Sequence, residues 1–216
     1  MNNTDNSKDT SNIFKKFRGK ITDKSISSLE TLVGEVIGKK TSGLARNETP
    51  YFSPGITSIL FLSKRGISRA PLAREVMRGM LHQSDHFGSI RPSARGISEA
   101  YDLCSFDKRM VHRASLQGFE LSGHSRRANT SELSAANLII PLDSESKQYT
   151  KTRTFYIRGK VLPISEFLNA DDLTYIPDPF DIDDATEVSD RYDSIIELIK
   201  KGCSEILESL PSLIHS

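Results

Sequence analysis

The sequence predicts an α/β fold, and three observations carry that prediction. Residues 58–62 form an apolar run of strand type, and a short loop with one glycine, Gly66, joins them to a helical pattern over 71–81 that places Leu72, Val76 and Met80 on one side. The strand, about 57–62, is apolar on both faces, as expected of a central parallel strand. Farther along, Tyr192, Ile195, Ile196, Ile199, Cys203, Ile206 and Leu210 recur at helical spacing, which predicts a long amphipathic helix over about 186–210. The strand–loop–helix unit is also a ready anion site. Loop N–H groups converge there, and the positive end of the helix dipole points at whatever the loop holds. Pro71 suits a first helical position, where its missing N–H would be unpaired anyway.

Length and composition frame the rest. A chain of 216 residues accommodates one domain with extensions. The formal net charge is +1, so no global field draws nucleic acid or acidic lipid, and a nucleic-acid partner is not favoured. Charged residues at 26% and hydrophobic ones at 37% suit a soluble protein. No apolar run approaches the ~20 residues of a membrane span, and the polar start from Met1 to Asn6 offers no leader pattern. Cys104 and Cys203 form neither a disulfide framework nor a metal motif. The expectation is a reduced, cytoplasmic protein with no metal or cofactor.

In chain order, residues 1–12 are polar and predict disorder. Residues 13–21 interleave Phe14 and Phe17 with Lys15, Lys16, Arg18 and Lys20. Such a run fits a membrane or nucleic-acid patch, but a solvated arm that packs its two Phe residues is favoured. Residues 26–38 read as an amphipathic helix through Leu29, Leu32, Val33, Val36 and Ile37, with Ser27 or Ser28 as its cap. Residues 39–55 carry Gly, Pro and Ser throughout and read as a linker. The strand–loop–helix unit follows. Residues 108–118 are helical, and Gly118 is a plausible residue just past the helix end. Thr154, Phe155, Tyr156 and Ile157 suggest a further strand.

The loop and four later landmarks carry a resemblance. The pattern of apolar strand, C-x5-R-S/T-P and helix resembles the phosphate-binding loop of the low-molecular-weight protein-tyrosine phosphatases, a family that includes thioredoxin-coupled arsenate reductases. Here Arg69, Pro71 and Ile67 match, but Ser63 stands where the family has its nucleophilic cysteine, Ala70 replaces the Ser/Thr, and Arg65 and Gly66 replace the usual glycine and asparagine. Residues 88–94, with a turn at Ser93-Ala94-Arg95-Gly96, fall at the second strand, although their strand signal is poor. Residues 118–130 resemble a second marker around Gly118-Phe119, Leu121-Ser122 and His124; His124 is read as a structural hydrogen-bonding residue. A short helix and a third strand, 138–142, end at Asp143. The stretch Pro177-Asp178-Pro179-Phe180 resembles the family's Asp-Pro loop, with Asp178 on the general acid and Phe180 on the aromatic pocket wall.

The resemblance covers about 57–210. It implies a four-stranded parallel sheet flanked by helices, flavodoxin-like in outline, over 56–212, with 1–55 as an added N-terminal arm, helix and linker. It implies that Arg69 grips phosphate, within a loop of Ser63, Lys64, Arg65, Gly66, Ile67, Ser68 and Arg69. A serine hydroxyl is far less acidic than a thiol and needs an adjacent base, which Lys64, Arg65 and Arg69 do not supply. The expectation is therefore a catalytically silent, phosphatase-like protein that binds a phosphate-type anion or a phosphorylated protein. The alternatives are a genuine phosphatase, residual or caught as a Cys-to-Ser trap, and an adaptor that works through its N-terminal arm. Oligomeric state is left open, a homodimer included.

Overall fold

The computed structural model describes residues 57–168, 175–180 and 188–214. The predicted arm, helix and linker of 1–55 lie outside the described residues, as does most of 169–187. The first strand, β1 (Thr57–Ser63), runs through the loop into α1 (Arg69–Leu81). The helix begins two residues before Pro71, so the proline occupies its third position; all first-turn N–H groups lack helical partners, and the place is equally tolerant. Then follow β2 (Ile90–Gly96), α2 (Lys108–Leu116), α3 (Thr130–Ala135), β3 (Leu138–Pro141), α4 (Ser144–Lys151), β4 (Lys160–Val161) and α5 (Val188–Ile214).

The sheet order is β2-β1-β3-β4, and every pairing is parallel. The four-stranded parallel sheet is thus the one expected. Two strands differ from their sequence reading. β2 is a full seven-residue strand, in register with all of β1 from Thr57↔Ile90 to Ser63↔Gly96. Its signal was poor because Pro92 lies within it, a residue that an edge strand accommodates. The expected strand over Thr154–Ile157 is not formed; Thr154–Tyr156 make a 3-10 turn instead, and Phe155 is 93% exposed. The fourth strand lies four residues later, where Lys160 N donates to the Asn137 carbonyl and Leu162 N to that of Ile139. Backbone pairing to β3, rather than local apolar content, fixed its place.

Strand alternation builds two core layers. Ile59 and Phe61 of β1, with Leu138 and Ile140 of β3, face a large cluster shared with α1, α2 and α5. Leu60 and Leu62, with Ile139, face a smaller one with Ala128, Leu133 and Ala136. The C-terminal helix buries the whole predicted stripe from Tyr192 to Leu210 and runs four residues past its expected end, with Pro211 inside its last turns. Each large aliphatic side chain so buried contributes roughly 1.5–3 kcal/mol. Cys203 belongs to this core. Its Sγ lies 3.7 Å from the Ala73 carbonyl, and burial pushes the thiol pKa up. Gly118 follows α2 in the left-handed region, φ +85°, as expected. Among the described residues, no helix is long and apolar enough to cross a membrane.

Asp107 joins α2 to α5. One carboxylate oxygen caps α2 by accepting from Arg109 N, and the other accepts from the Tyr192 hydroxyl at 2.7 Å. Arg113 and Asp193 form an ion pair across the same helices. Burial first, then the Asp107 hydrogen bond, raises the pKa of Tyr192. Folding therefore favours the protonated phenol. That contribution is complete below the unfolded value of about 10 and declines as pH rises beyond it. Urea titrations should find Tyr192→Phe about 1 kcal/mol less stable at pH 7. Between about pH 10 and 12 the parent should lose stability faster than the variant. Parallel losses across that window would show that Tyr192 does not drive the alkaline transition.

Candidate functional site

β1 delivers Ser63 to the C-terminal edge of the sheet, only 2% exposed, and the chain turns there into the loop 64–68. Gly66 makes that turn. Its φ of +71° is in the left-handed region, and a Cβ added to it would come within 2.4 Å of Gly96 N. The loop therefore packs directly on the end of β2. Around it, Ser98 N and Ile97 N donate to the Lys64 carbonyl, Asp107 N donates to that of Ile67, and Ser125 Oγ donates to that of Arg65 at 3.2 Å. Gly66 N donates to Ser63 Oγ at 3.2 Å, so the hydroxyl serves as an acceptor inside its own loop.

Arg69, the first residue of α1, is 4% exposed. Its Nη1 donates to the Ile176 carbonyl at 2.7 Å, and its Nη2 lies 3.0 Å from Asp178 Oδ2 and 2.9 Å from Asp143 Oδ2. Asp143 ends β3 and serves three elements. Its Oδ2 also accepts from Lys64 N at 2.8 Å, while Oδ1 accepts from Ser146 N to cap α4. Arg65 reaches the same centre from the other side. Its Nη1 lies 2.6 Å from Asp178 Oδ2, and its Nε is 3.2 Å from the Tyr101 hydroxyl. The guanidinium carbon stands 4.7 Å from the centre of the Phe180 ring and 5.6 Å from that of Tyr101. Asp178 Oδ1 accepts from Phe180 N, which fixes the carboxylate.

Two guanidiniums and two carboxylates thus close on one another. The Asp178 carboxylate lies between Arg65 and Arg69, within 3.0 Å of both. The cleft between Ser63, Ser68, Arg69, Asp178 and Phe180 is closed and has no room for a water molecule. Ser68 Oγ lines it, is buried, and has no hydrogen-bond partner among the described residues. A buried hydroxyl without a partner is costly.

Of the residues named from sequence, Ser63, Arg65, Gly66, Ser68, Arg69, Asp178 and Phe180 come together here. Lys64 and Ile67 do not line the pocket. Lys64 Nζ turns outward to Glu145 at 2.7 Å, and that hydrogen bond holds the Glu145 carboxyl down at about 2 and raises the Lys64 pKa. Ile67 is buried, and its carbonyl accepts from Asp107 N. His124 is exposed and enters through its backbone, bridged to Ser105; the side-chain hydrogen bond expected of it is not found among the described residues. The neighbouring Ser125 does that work instead. Sequence reasoning also missed Tyr101, which no local signal marks, and the contact of Asp143 with Arg69. The spacing of Asp143 and Ser146 is a capping-box pattern and marks the helix that Asp143 caps. No cluster of metal-ligating side chains occurs among the described residues.

Removing Arg69 leaves Asp143 and Asp178 buried with a partner missing. Arg69→Ala should lower unfolding stability by about 3 kcal/mol, because breaking a buried pair strands the remaining charge. A urea midpoint within error of the parent would mean that Arg65 and Lys64 N satisfy both carboxylates without it.

Comparison with known proteins places this geometry. The family model for low molecular weight phosphotyrosine protein phosphatase matches residues 58–213. The low molecular weight protein-tyrosine-phosphatase YfkJ of Bacillus subtilis is 21% identical over 155 residues, which are 71% of this chain and 95% of that protein. Its crystal structure superposes with a TM-score of 0.64, covering 73% of this chain and 96% of that one. A protein tyrosine phosphatase from Entamoeba histolytica gives 0.65 at 18% identity, over 72% and 97%. A drosophila arginine phosphatase gives 0.62 at 14% identity, over 70% and 96%. With the matching model spanning the sheet, the loop and the last helix, the chain belongs to the low molecular weight phosphotyrosine protein phosphatase family.

Proposed function

We propose that this family member is catalytically silent and acts by binding phosphate groups on a protein partner, as a regulatory interaction module. The observation that carries this reading is the state of Ser63. It stands at the end of β1, where the sequence resemblance puts a nucleophilic cysteine, and its buried Oγ accepts a hydrogen bond from Gly66 N. A hydroxyl becomes a nucleophile only when a base takes its proton. Both carboxylates of the site are engaged elsewhere, Asp143 by Arg69 and Lys64 N, Asp178 by Arg69 and Arg65. Asp178 must also break two ion pairs before it can reach a leaving-group oxygen.

Binding needs none of that chemistry. A phosphate that displaces the Asp178 carboxylate meets Arg65 Nη1, Arg69 Nη2 and the unpartnered Ser68 hydroxyl at the N-terminus of a 13-residue helix. The named relatives are tyrosine and arginine phosphatases, which supports a phosphorylated protein as partner. The presence of Arg69 and Asp178 in one site favours a second reading, an enzyme with altered or residual activity. Work by the N-terminal arm concerns residues outside the described ones.

Hydrolysis of acetyl phosphate, whose carrier is not aromatic, separates the two readings. The parent should give no turnover above background and no phosphoserine at position 63 by mass spectrometry, while Ser63→Cys gains measurable activity. Parent turnover that disappears in Asp178→Asn, or a phosphorylated Ser63, would overturn silence. For binding, calorimetry with inorganic phosphate should find Arg69→Lys at least about tenfold weaker, ~1.4 kcal/mol, because a point charge replaces a planar fork. Asp178→Asn should tighten phosphate by a similar factor, since it removes the competing carboxylate charge. Unchanged affinity in both variants would place any phosphate bound elsewhere on the protein.

A further inference from the structure

Resting on the phosphate-binding reading, we infer that Arg65 sets the ligand class of this site: it selects phosphate on a non-aromatic carrier and excludes aryl phosphates. The argument starts from where Arg65 lies. Its guanidinium is held at one edge by the Tyr101 hydroxyl at Nε and at another by Asp178 at Nη1, and it stands 4.7 Å from the centre of the Phe180 ring. The Tyr101 ring centre is 5.6 Å away from the same carbon. The guanidinium is therefore the flat group lying over both aromatic side chains beside the loop. Its side chain is only 19% exposed, and the Asp178 side chain 8%.

An aryl ester bound in the loop must carry its ring out past these same groups. A ring inserted between the guanidinium and either aromatic needs at least ~4.5 Å to each neighbour, ~9 Å in all. The observed separations of 4.7 and 5.6 Å leave no such gap. Expelling Arg65 instead breaks the Tyr101 contact and the stacking on Phe180 together, beyond the Asp178 contact that any bound phosphate replaces. It also removes one of the two guanidiniums that would hold the phosphate. A narrow alkyl carrier requires neither. It can leave the pocket beside Arg65 while both guanidiniums grip the phosphate oxygens in place of Asp178. Phosphate on a serine or threonine side chain has this shape; phosphate on a tyrosine does not.

Calorimetric titration with inorganic phosphate, ethyl phosphate and phenyl phosphate tests this, because the two esters differ only in the carrier. The parent should bind ethyl phosphate at least about tenfold tighter than phenyl phosphate. Arg65→Met keeps the stem and much of the volume. It should weaken inorganic and ethyl phosphate by about tenfold and bring the ratio of the two esters to near one or below. Arg65→Lys should keep most of the phosphate affinity, with an intermediate ratio. Thermal melts of each variant exclude unfolding as the cause. Phenyl phosphate binding as tightly as ethyl phosphate, or an ester ratio unchanged in Arg65→Met, overturns the inference while the binding site stands. Failure of all three ligands to bind the parent overturns the phosphate-binding reading itself, and this inference with it.

Discussion

The site depends on one buried cation. Arg69 sits at the first position of α1 with its guanidinium almost fully enclosed, and an enclosed charge persists only with its partners in place. Those partners come from three parts of the chain: Asp143 from the end of β3, Asp178 from the segment 175–180, and the Ile176 carbonyl beside it. Placing one arginine thus brings together the loop after β1, the third strand and a segment more than 100 residues away. Asp143 extends the linkage by holding Lys64 N and capping α4. The geometry of the loop is accordingly a property of the whole C-terminal edge of the sheet.

Much of the fold was legible because its signals are periodic and local. The two-faced apolar strand, the helix behind the loop and the stripe from Tyr192 to Leu210 each announce themselves in the sequence, and each is where it was expected. What failed was placement that only pairing determines. Lys160 and Val161 have no strand signature, and they form β4 because the backbone of β3 offers them partners. Thr154–Tyr156 have the composition of a strand and no partner to extend along. In the site, the residues that carry a motif were readable: Ser63, Arg69, Asp178 and Phe180. Those that act by reaching across the fold were not. Tyr101 meets Arg65 through a contact 36 residues apart in sequence, and Ser125 supports the loop through a backbone carbonyl.

Charge balance explains how a pocket with two arginines and a serine can sit closed. Where a thiolate would add a negative charge next to the helix N-terminus, a neutral hydroxyl adds none, and among the described residues Asp143 and Asp178 answer the guanidiniums. Asp178 then goes to the cations. Its carboxylate lies within 3.0 Å of both Arg65 and Arg69, a position useful for compensating charge and unsuited to handing a proton to a departing oxygen. A neutral hydroxyl at position 63 thus favours engagement of Asp178 by the two arginines.

Closure of this kind need not demand a large motion to reverse. The segment that carries Asp178 is tethered at two further points: the Ile176 carbonyl accepts from Arg69 Nη1, and Ile176 N donates to the Leu142 carbonyl at 3.0 Å. Ile176 is itself buried in the main core. An anion entering between the guanidiniums competes with the Asp178 side chain alone, and the backbone on which that side chain sits stays anchored through its neighbour. A carboxylate two residues from such an anchor can leave by side-chain rotation, which is fast on the scale of loop or domain opening. On the proposed binding of phosphate, the cost of admission is the exchange of one anion for another on the same pair of arginines. The proposed dianion would gain the Ser68 hydroxyl, which the carboxylate leaves without a partner among the described residues.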